Sequence, residues 1–225
     1  MSVESASQRI ALLAGTSGLV GRALLPLLLA SPHVAHVHGL LRRPVPGLPT
    51  QAKLQLHVVD FTHLPALPHV DDVFIALGTT IKTAGSQAAF RRIDFDAVVD
   101  TARAARAAGA TRLYIVSALG ADANSRVFYN RVKGEMQAAV ALLGYDSVIL
   151  AQPSLLIGDR AVLGQPVRPA ERLAGGLLRP LLRWIPRSAR PIAAADVAAA
   201  LMRASLHPSP GVRVLSSAQM QGAPA

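Results

Sequence analysis

Residues 9–21 read RIALLAGTSGLVG, an apolar run that leads into three regularly spaced glycines. The run Arg9–Ala14 is typical of a buried strand, and the residues after Gly18 are typical of a helix that ends near Ser31. Glycines in such a strand-to-helix turn permit the tight bend, let a pyrophosphate approach the backbone and let the helix pack close to the strand. Free N–H groups and the helix dipole then favour an anion. The residues predicted to bind a nucleotide here are Gly15, Thr16, Ser17, Gly18, Leu19, Val20 and Gly21.

The end of the predicted second strand indicates which nucleotide binds. A phosphate loop of the NTPase kind is excluded, because no G-K-[ST] follows the glycines. An NAD-specific site usually carries an acidic residue about 20 residues further on, but this strand ends in Leu40-Leu41-Arg42-Arg43-Pro44 with no Asp or Glu nearby. Two guanidinium groups suit a 2′-phosphate, so NADP(H) is the preferred cofactor and NAD(H) a possible one. The alternative is that an arginine pair means little in a chain with 20 arginines.

Apolar strands alternate with helices over most of the chain, which predicts a sheet covered on both faces. The predicted strands after the first are Val34–Leu41, Leu54–Val59, Asp72–Leu77, Arg112–Ser117, Ser147–Gln152 and Val212–Ser216, and the later helices are Phe90–Ala108, Ser125–Leu143 and Ala193–Leu206. The predicted fold class is α/β: a Rossmann-type doubly wound, mostly parallel sheet with a short C-terminal substrate lobe. One domain over residues 1–225 is expected, with a core at about 8–157, a substrate-side segment at about 158–192 and a closing helix and strand at about 193–217.

Composition limits the classes of protein to which this chain can belong. Of the 225 residues, 51% are hydrophobic, which excludes disorder over most of the length. The chain has no cysteine, which excludes disulfides and thiolate metal sites. We find neither a signal peptide nor an apolar run long enough to span a membrane, so a cytoplasmic protein is expected. No metal site is predicted, because the seven histidines form no ligand set with carboxylates.

The charge balance is strongly basic, with 23 Lys and Arg residues against 13 Asp and Glu. A codon bias toward arginine explains this without a function, while an anionic ligand, an acidic membrane surface and nucleic acid are the functional alternatives. Aromatic residues make up only 4% of the chain, so nucleic acid is not expected as a partner. The arginine-rich segment 168–190 fits a solvated lid, a pocket for an anionic substrate, or a peripheral membrane or protein contact.

A tyrosine and a lysine lie one helical turn apart at Tyr129 and Lys133. An ammonium group stabilises a nearby phenolate, so such a tyrosine becomes an effective proton donor and acceptor. Ser117 ends the fifth predicted strand, at the sheet edge where ligands bind, and its hydroxyl could hold a substrate carbonyl. The structural alternatives are a surface pair for Tyr129 and Lys133, and a bond to local backbone for Ser117.

These features resemble the short-chain dehydrogenase/reductase superfamily in its atypical and extended branches, and more narrowly the Tat-interacting-protein oxidoreductase group and its bacterial relatives. The resemblance is carried by Gly15–Gly21, Ala76–Thr80, Phe90–Asp94, Ser117–Asp122, Tyr129–Glu135 and Pro153–Arg160. It implies a Rossmann fold with NADP(H) in the cleft and a catalytic role for Ser117, Tyr129 and Lys133. It also implies that the cofactor lies beside Asp60, Phe61, Leu77, Gly78, Thr79 and Pro153.

Two departures from the family pattern bear on the function. Many members carry a second serine where this chain has Ala118, and the stretch after the sixth strand is short, so a large sugar-nucleotide substrate is not expected. The first hypothesis is an NADP(H)-dependent oxidoreductase that transfers hydride to or from a small carbonyl or alcohol. The alternative is a non-catalytic NADP(H)-binding redox sensor or scaffold. A homodimer is possible by analogy with the superfamily.

Overall fold

A parallel sheet is the centre of the computed structural model, which describes residues 8–158 and 186–221. The strands are β1 (Arg9–Ala14), β2 (Val34–Leu41), β3 (Leu54–Val58), β4 (Asp72–Ile75), β5 (Arg112–Val116), β6 (Ser147–Gln152), β7 (Leu156–Ile157), β8 (Ile192–Ala193) and β9 (Gly211–Ser216). Seven of the described strands form one sheet in the order β3-β2-β1-β4-β5-β6-β9, and every neighbouring pair is parallel. Strands β7 and β8 form a separate parallel pair.

Helices cover both faces of this sheet. They are α1 (Leu19–Ala30), α2 (Ile81–Ala84), α3 (Gln87–Arg91), α4 (Ala97–Ala107), α5 (Phe128–Ala141), α6 (Ala194–Leu206) and α7 (Ser217–Met220), and a π-helical turn at Arg92–Asp96 joins α3 to α4. Helices α1 and α6 bury Leu24, Leu28 and Leu201 on one face of the sheet. Helices α4 and α5 bury Val98 and Met136 on the other. This arrangement confirms the predicted Rossmann-type α/β fold.

The strand order reverses beside β1, which pairs with β2 on one side and with β4 on the other. The connections that leave β1 and β4 therefore run to opposite faces of the sheet and open a crevice at its carboxyl edge. Ligands of doubly wound folds bind in this position. The predicted glycine turn follows β1 and so lies in the crevice.

The described elements depart from the predicted ones mainly in the third helical region. The predicted single helix Phe90–Ala108 is wrong. The chain instead forms α3 from Gln87, then the π-helical turn and then α4. Ser86 starts α3, because its hydroxyl accepts a hydrogen bond from the Ala89 N–H at 3.1 Å. The predicted helix Ser125–Leu143 starts three residues later, since Ser125 instead accepts a hydrogen bond from the Val127 N–H.

Most of the predicted substrate-side segment at about 158–192 lies outside the described residues, and so does most of the arginine-rich segment 168–190. Of the described helices, none has the length and apolar character that crossing a membrane requires.

Candidate functional site

A cleft of about 460 Å³ opens at the carboxyl edge of the sheet. It is formed by the turn after β1, the end of β2, the loop after β4 and the first turns of α5. Most of the residues that the sequence singled out line it. They are Gly15, Ser17, Gly18, Leu19, Val20, Arg42, Arg43, Phe61, Leu77, Gly78, Thr79, Ser117, Tyr129 and Lys133. The fold thus brings the predicted nucleotide-binding and catalytic residues into one cavity.

The turn after β1 requires glycine at two positions. Gly15 has a φ of +88°, and a Cβ there would lie 2.6 Å from the carbonyl oxygen of Ala76. A Cβ on Gly21 would lie 2.1 Å from the carbonyl oxygen of Gly15. Gly18 stands at the N-cap of α1 with no side chain bonded to the free N–H groups of the first turn. This cradle leaves backbone donors open to the cleft, which suits a pyrophosphate.

Four predicted cofactor residues do not line the cleft. Thr16 is fully buried, and its hydroxyl donates a hydrogen bond to the Leu13 carbonyl at 2.9 Å. This bond stabilises the turn on the side away from the cleft. Gly21 packs against Gly15 and lets α1 approach β1. The carbonyl of Pro153 accepts a hydrogen bond from the Leu119 N–H at 2.8 Å, which holds the loop after β5. Asp60 is exposed at the surface.

The exposed carboxylate of Asp60 accepts hydrogen bonds from the N–H and the hydroxyl of Thr62. The first of these bonds contributes most to lowering the pKa of Asp60. Its neighbour Phe61 does line the cleft and is buried. The structure therefore separates this predicted pair: Phe61 belongs to the cavity wall, and the carboxylate of Asp60 is engaged at the surface.

Arginines supply most of the charge in the cleft. Arg42 and Arg43 follow β2, are exposed and line the cleft, and their role in binding a 2′-phosphate stays a prediction. Arg22 was missed, although it directly follows Gly21 in the sequence. It also lines the cleft, and its Nε atom is buried without a hydrogen-bond partner among the described residues. Such an orphaned donor beside the glycine turn fits a phosphate-bearing ligand.

A second residue that sequence reasoning missed is Asp94, which lies in the π-helical turn and is fully buried. Its Oδ1 is 2.7 Å from the Nζ of Lys133, whose side chain is only 4% exposed. Its Oδ2 accepts a hydrogen bond from the Thr79 N–H at 2.9 Å. The carboxylate thus joins α5 to the loop after β4. The only signal in the sequence was its place in the stretch FRRID, which belongs to the family resemblance.

Ser117 lies at the end of β5 and is held by a side chain that the sequence did not single out. The Nε2 of Gln137 donates a hydrogen bond to the Ser117 Oγ at 2.6 Å. The Oε1 of Gln137 in turn accepts one from Gln152 at 3.2 Å. Gln137 follows Lys133 by four residues, so it lies on the same face of α5.

Tyr129 stands in the first turn of α5, one turn before Lys133, and both line the cleft. Its ring is half-buried, and its centroid is 5.3 Å from that of Phe90. Among the described residues, no group of three or more histidine, aspartate or glutamate side chains is arranged to hold a metal ion. The cavity therefore combines an anion-binding turn with a tyrosine, a buried ammonium group and a hydrogen-bonded serine.

Comparison with known proteins identifies a nucleotide-binding family. The sequence profile of a family described as NAD(P)H-binding matches residues 15–151. The mitochondrial protein FMP52 of Coccidioides immitis is 34% identical to this chain in an alignment of 205 positions, and the match covers 83% of this chain and 83% of the relative. The fmp52 protein of Aspergillus niger, also named mitochondrial, is 38% identical in an alignment of 173 positions, and the match covers 73% of this chain and 72% of the relative.

Solved structures share the fold at low sequence identity. A structure of MoeE5 in complex with UDP-glucuronic acid and NAD covers 91% of this chain and 75% of its own, with a TM-score of 0.69 and 19% identity. The Bordetella bronchiseptica enzyme WbmG in complex with NAD covers 96% and 74%, with a TM-score of 0.66 and 16% identity. At these identities the neighbours show the fold alone, a Rossmann-type domain, and membership of the short-chain dehydrogenase/reductase superfamily stays a prediction. The narrower Tat-interacting-protein group stays a prediction.

The predicted cytoplasmic location is wrong. The relatives from Coccidioides immitis, Emericella nidulans and Eremothecium gossypii are all named mitochondrial, which contradicts it. By the profile match over residues 15–151 and by its identity to these relatives, the chain belongs to the NAD(P)H-binding family, together with the fungal FMP52 proteins.

Proposed function

We propose that this protein is an NADP(H)-dependent oxidoreductase of the short-chain dehydrogenase type that acts on a small carbonyl or alcohol. One observation carries the proposal: Ser117, Tyr129 and Lys133 line the same cleft as the glycine turn. A nucleotide-binding protein without chemistry has no need of a tyrosine and a buried ammonium group beside its ligand. A perturbable acid–base group in such a cleft is characteristic of an active site.

The preference for NADP(H) is supported by the basic side chains of the cleft. Arg42 and Arg43 extend from the end of β2, where an NAD-specific protein carries an acidic residue. A planar guanidinium group can hold a phosphate through two parallel hydrogen bonds. The glycine turn, with Arg22 beside it, would hold the pyrophosphate.

The chain's own residues would perform the acid–base part of the reaction. Tyr129 would donate its phenolic proton to the carbonyl oxygen of the substrate, which becomes the hydroxyl of an alcohol. Lys133 would stabilise the phenolate that remains, and Ser117 would hold the carbonyl oxygen by a hydrogen bond. When bound, NADPH supplies the hydride that the carbonyl carbon receives. In the reverse direction, Tyr129 would accept the proton of an alcohol.

A second candidate is a redox sensor or scaffold that binds NADP(H) without turnover. The observation that favours it is the Asp94 carboxylate, which lies 2.7 Å from the Lys133 ammonium group and offsets its charge. An offset charge stabilises the Tyr129 phenolate less, which weakens the acid–base group. The presence of Ala118 in place of a second serine points the same way.

Replacement of Tyr129 by phenylalanine distinguishes the two candidates. For an oxidoreductase we expect turnover to fall by about a hundredfold or more, the usual contribution of a positioned general acid, while the affinity for NADPH stays near that of the wild type. The measurement is NADPH oxidation over a panel of small aldehydes and ketones, with NADPH affinity determined by calorimetry. Tyr145→Phe is the matched control, because the Tyr145 hydroxyl bonds to the Ala102 carbonyl away from the cleft. Full activity of Tyr129→Phe, or a wild type inactive on the whole panel, would contradict the proposal.

A further inference from the structure

We infer that Gln137 is a positioning residue that directs the hydroxyl hydrogen of Ser117 into the cleft, so that the site selects substrates with a neutral carbonyl oxygen. The inference rests on the proposed function, because it concerns how Ser117 would hold the substrate. It starts from the hydrogen bond between Gln137 Nε2 and Ser117 Oγ, at 2.6 Å.

A serine hydroxyl has one hydrogen to donate and two lone pairs to accept with, whereas the nitrogen of a glutamine amide only donates. The bond from Gln137 therefore occupies a lone pair of Ser117 and leaves its hydrogen unused. Ser117 is 5% exposed and lines the cleft. Within the described ranges, the hydroxyl hydrogen of Ser117 has no acceptor, so it is available to a group in the cleft.

The orientation of the Gln137 amide is set by Gln152, the last residue of β6. Its Nε2 donates to the Oε1 of Gln137 at 3.2 Å. With its oxygen engaged in this way, Gln137 must present its nitrogen to Ser117. The three side chains form one chain of donors that begins at β6, crosses α5 and ends at the cleft. Hydrogen bonds in such a chain polarise one another, which strengthens the last donor.

This polarity favours one class of substrate. A hydroxyl that donates into the cleft matches the lone pairs of an aldehyde or ketone oxygen, and Tyr129 would donate to the same oxygen. A protonated imine offers no lone pair at the corresponding atom and would leave the Ser117 hydrogen unpaired, which is costly in a buried site. The geometry thus points to carbonyl compounds rather than imines.

The first test reverses the polarity of the chain. In Gln137→Glu, the introduced carboxylate accepts a hydrogen bond from Ser117 and draws its hydrogen away from the cleft. We expect kcat at neutral pH to fall by about tenfold or more, and to recover as the pH is lowered and the carboxyl group becomes protonated. The pH profile of this variant then contains a step that the wild type lacks. Gln51→Glu is the control, since Gln51 is exposed and lies outside the cleft lining. A Gln137→Glu profile parallel to that of the wild type would overturn the inference.

The second test avoids a buried charge. Gln137→Met should lower kcat by about three- to tenfold, the value of one neutral hydrogen bond, with an unchanged affinity for NADPH. In a Ser117→Ala background the same substitution should have no further effect, because Gln137 acts through Ser117. Independent, multiplying effects of the two substitutions would overturn the inference and leave the proposed function intact. A wild type without turnover would overturn both.

Discussion

At the scale of single residues, the pair of Asp94 and Lys133 is the most consequential contact in the cleft. Both side chains are almost completely buried, and their charged atoms are 2.7 Å apart. Removal of one partner from a buried pair leaves the other charge desolvated and uncompensated. The pair therefore holds Lys133 in place, and through the Thr79 N–H the Asp94 carboxylate also holds the loop after β4.

Replacement of Asp94 by alanine should lower the free energy of unfolding by about 3–5 kcal/mol, the usual cost of breaking a buried ion pair. Asp100→Ala is the matched control. Asp100 pairs with Arg103 at 2.6 Å on the exposed surface of α4, where such a pair contributes less than about 1 kcal/mol. Urea unfolding of the two variants and the wild type measures both values. Equal, small losses in the two variants would show that Lys133 does not depend on Asp94.

The residues that could be predicted are those whose chemistry is visible in local spacing. Tyr129 and Lys133 are one helical turn apart, and the three glycines directly follow the apolar run of β1. Asp94 and Gln137 could not be predicted, because their partners Lys133 and Ser117 lie 39 and 20 positions away along the chain. Only the packing of the π-helical turn and α5 against the sheet brings these pairs together.

At the scale of elements, strands β2 and β3 place three histidines on one face of the sheet. The Nδ1 of His38 lies 3.0 Å from the Nε2 of His57, and the ring of His36 is 4.7 Å from that of His38. Burial, and secondarily the neighbouring His36 and His57, lower the pKa of His38 from 6.5 to about 4. The native protein therefore holds His38 neutral at pH values where the unfolded chain binds a proton.

This depressed pKa predicts a loss of stability in acid. His38 contributes its full stabilisation above pH 6.5, and the contribution is lost as the pH falls toward about 4. Over that range the wild type should lose about 1–2 kcal/mol more of its free energy of unfolding than His38→Leu, which has no proton to bind at this position. Urea unfolding across the range measures the difference, with His63→Gln as a control because His63 is exposed. Parallel pH dependences of the wild type and His38→Leu would contradict the expectation.

The elements themselves could be predicted where periodicity is simple. The bounds of β1, β2 and β6 agree with the predicted ones. Strands β1 and β6 are almost continuously apolar, as buried parallel strands are, whereas β2 begins with alternating apolar and polar residues. The prediction of one continuous helix over Phe90–Ala108 was wrong, because a π-helical turn has a different period from the α-helices on either side of it. Its position is set by the buried contacts of Asp94 and not by a local pattern.

At the scale of the whole molecule, the reversal of strand order at β1 concentrates basic groups around one crevice. Arg22, Arg42, Arg43 and Lys133 line it, and among the described lining residues Asp94 alone is acidic. The formal charge of the chain is +10, and positive charge is also in local excess where an anionic dinucleotide would lie. The roles predicted for the arginine-rich segment 168–190, and a homodimer, stay predictions.

Calorimetric titration with NADPH and NADH tests most directly whether this crevice binds NADP(H) through its arginines. We predict that the wild type binds NADPH about ten- to a hundredfold more tightly than NADH, the value of charge-assisted bonds to one phosphate. The double variant Arg42→Ala/Arg43→Ala should lose this difference while its affinity for NADH is unchanged. Binding of neither nucleotide by the wild type, or an undiminished preference in the double variant, would contradict the claim.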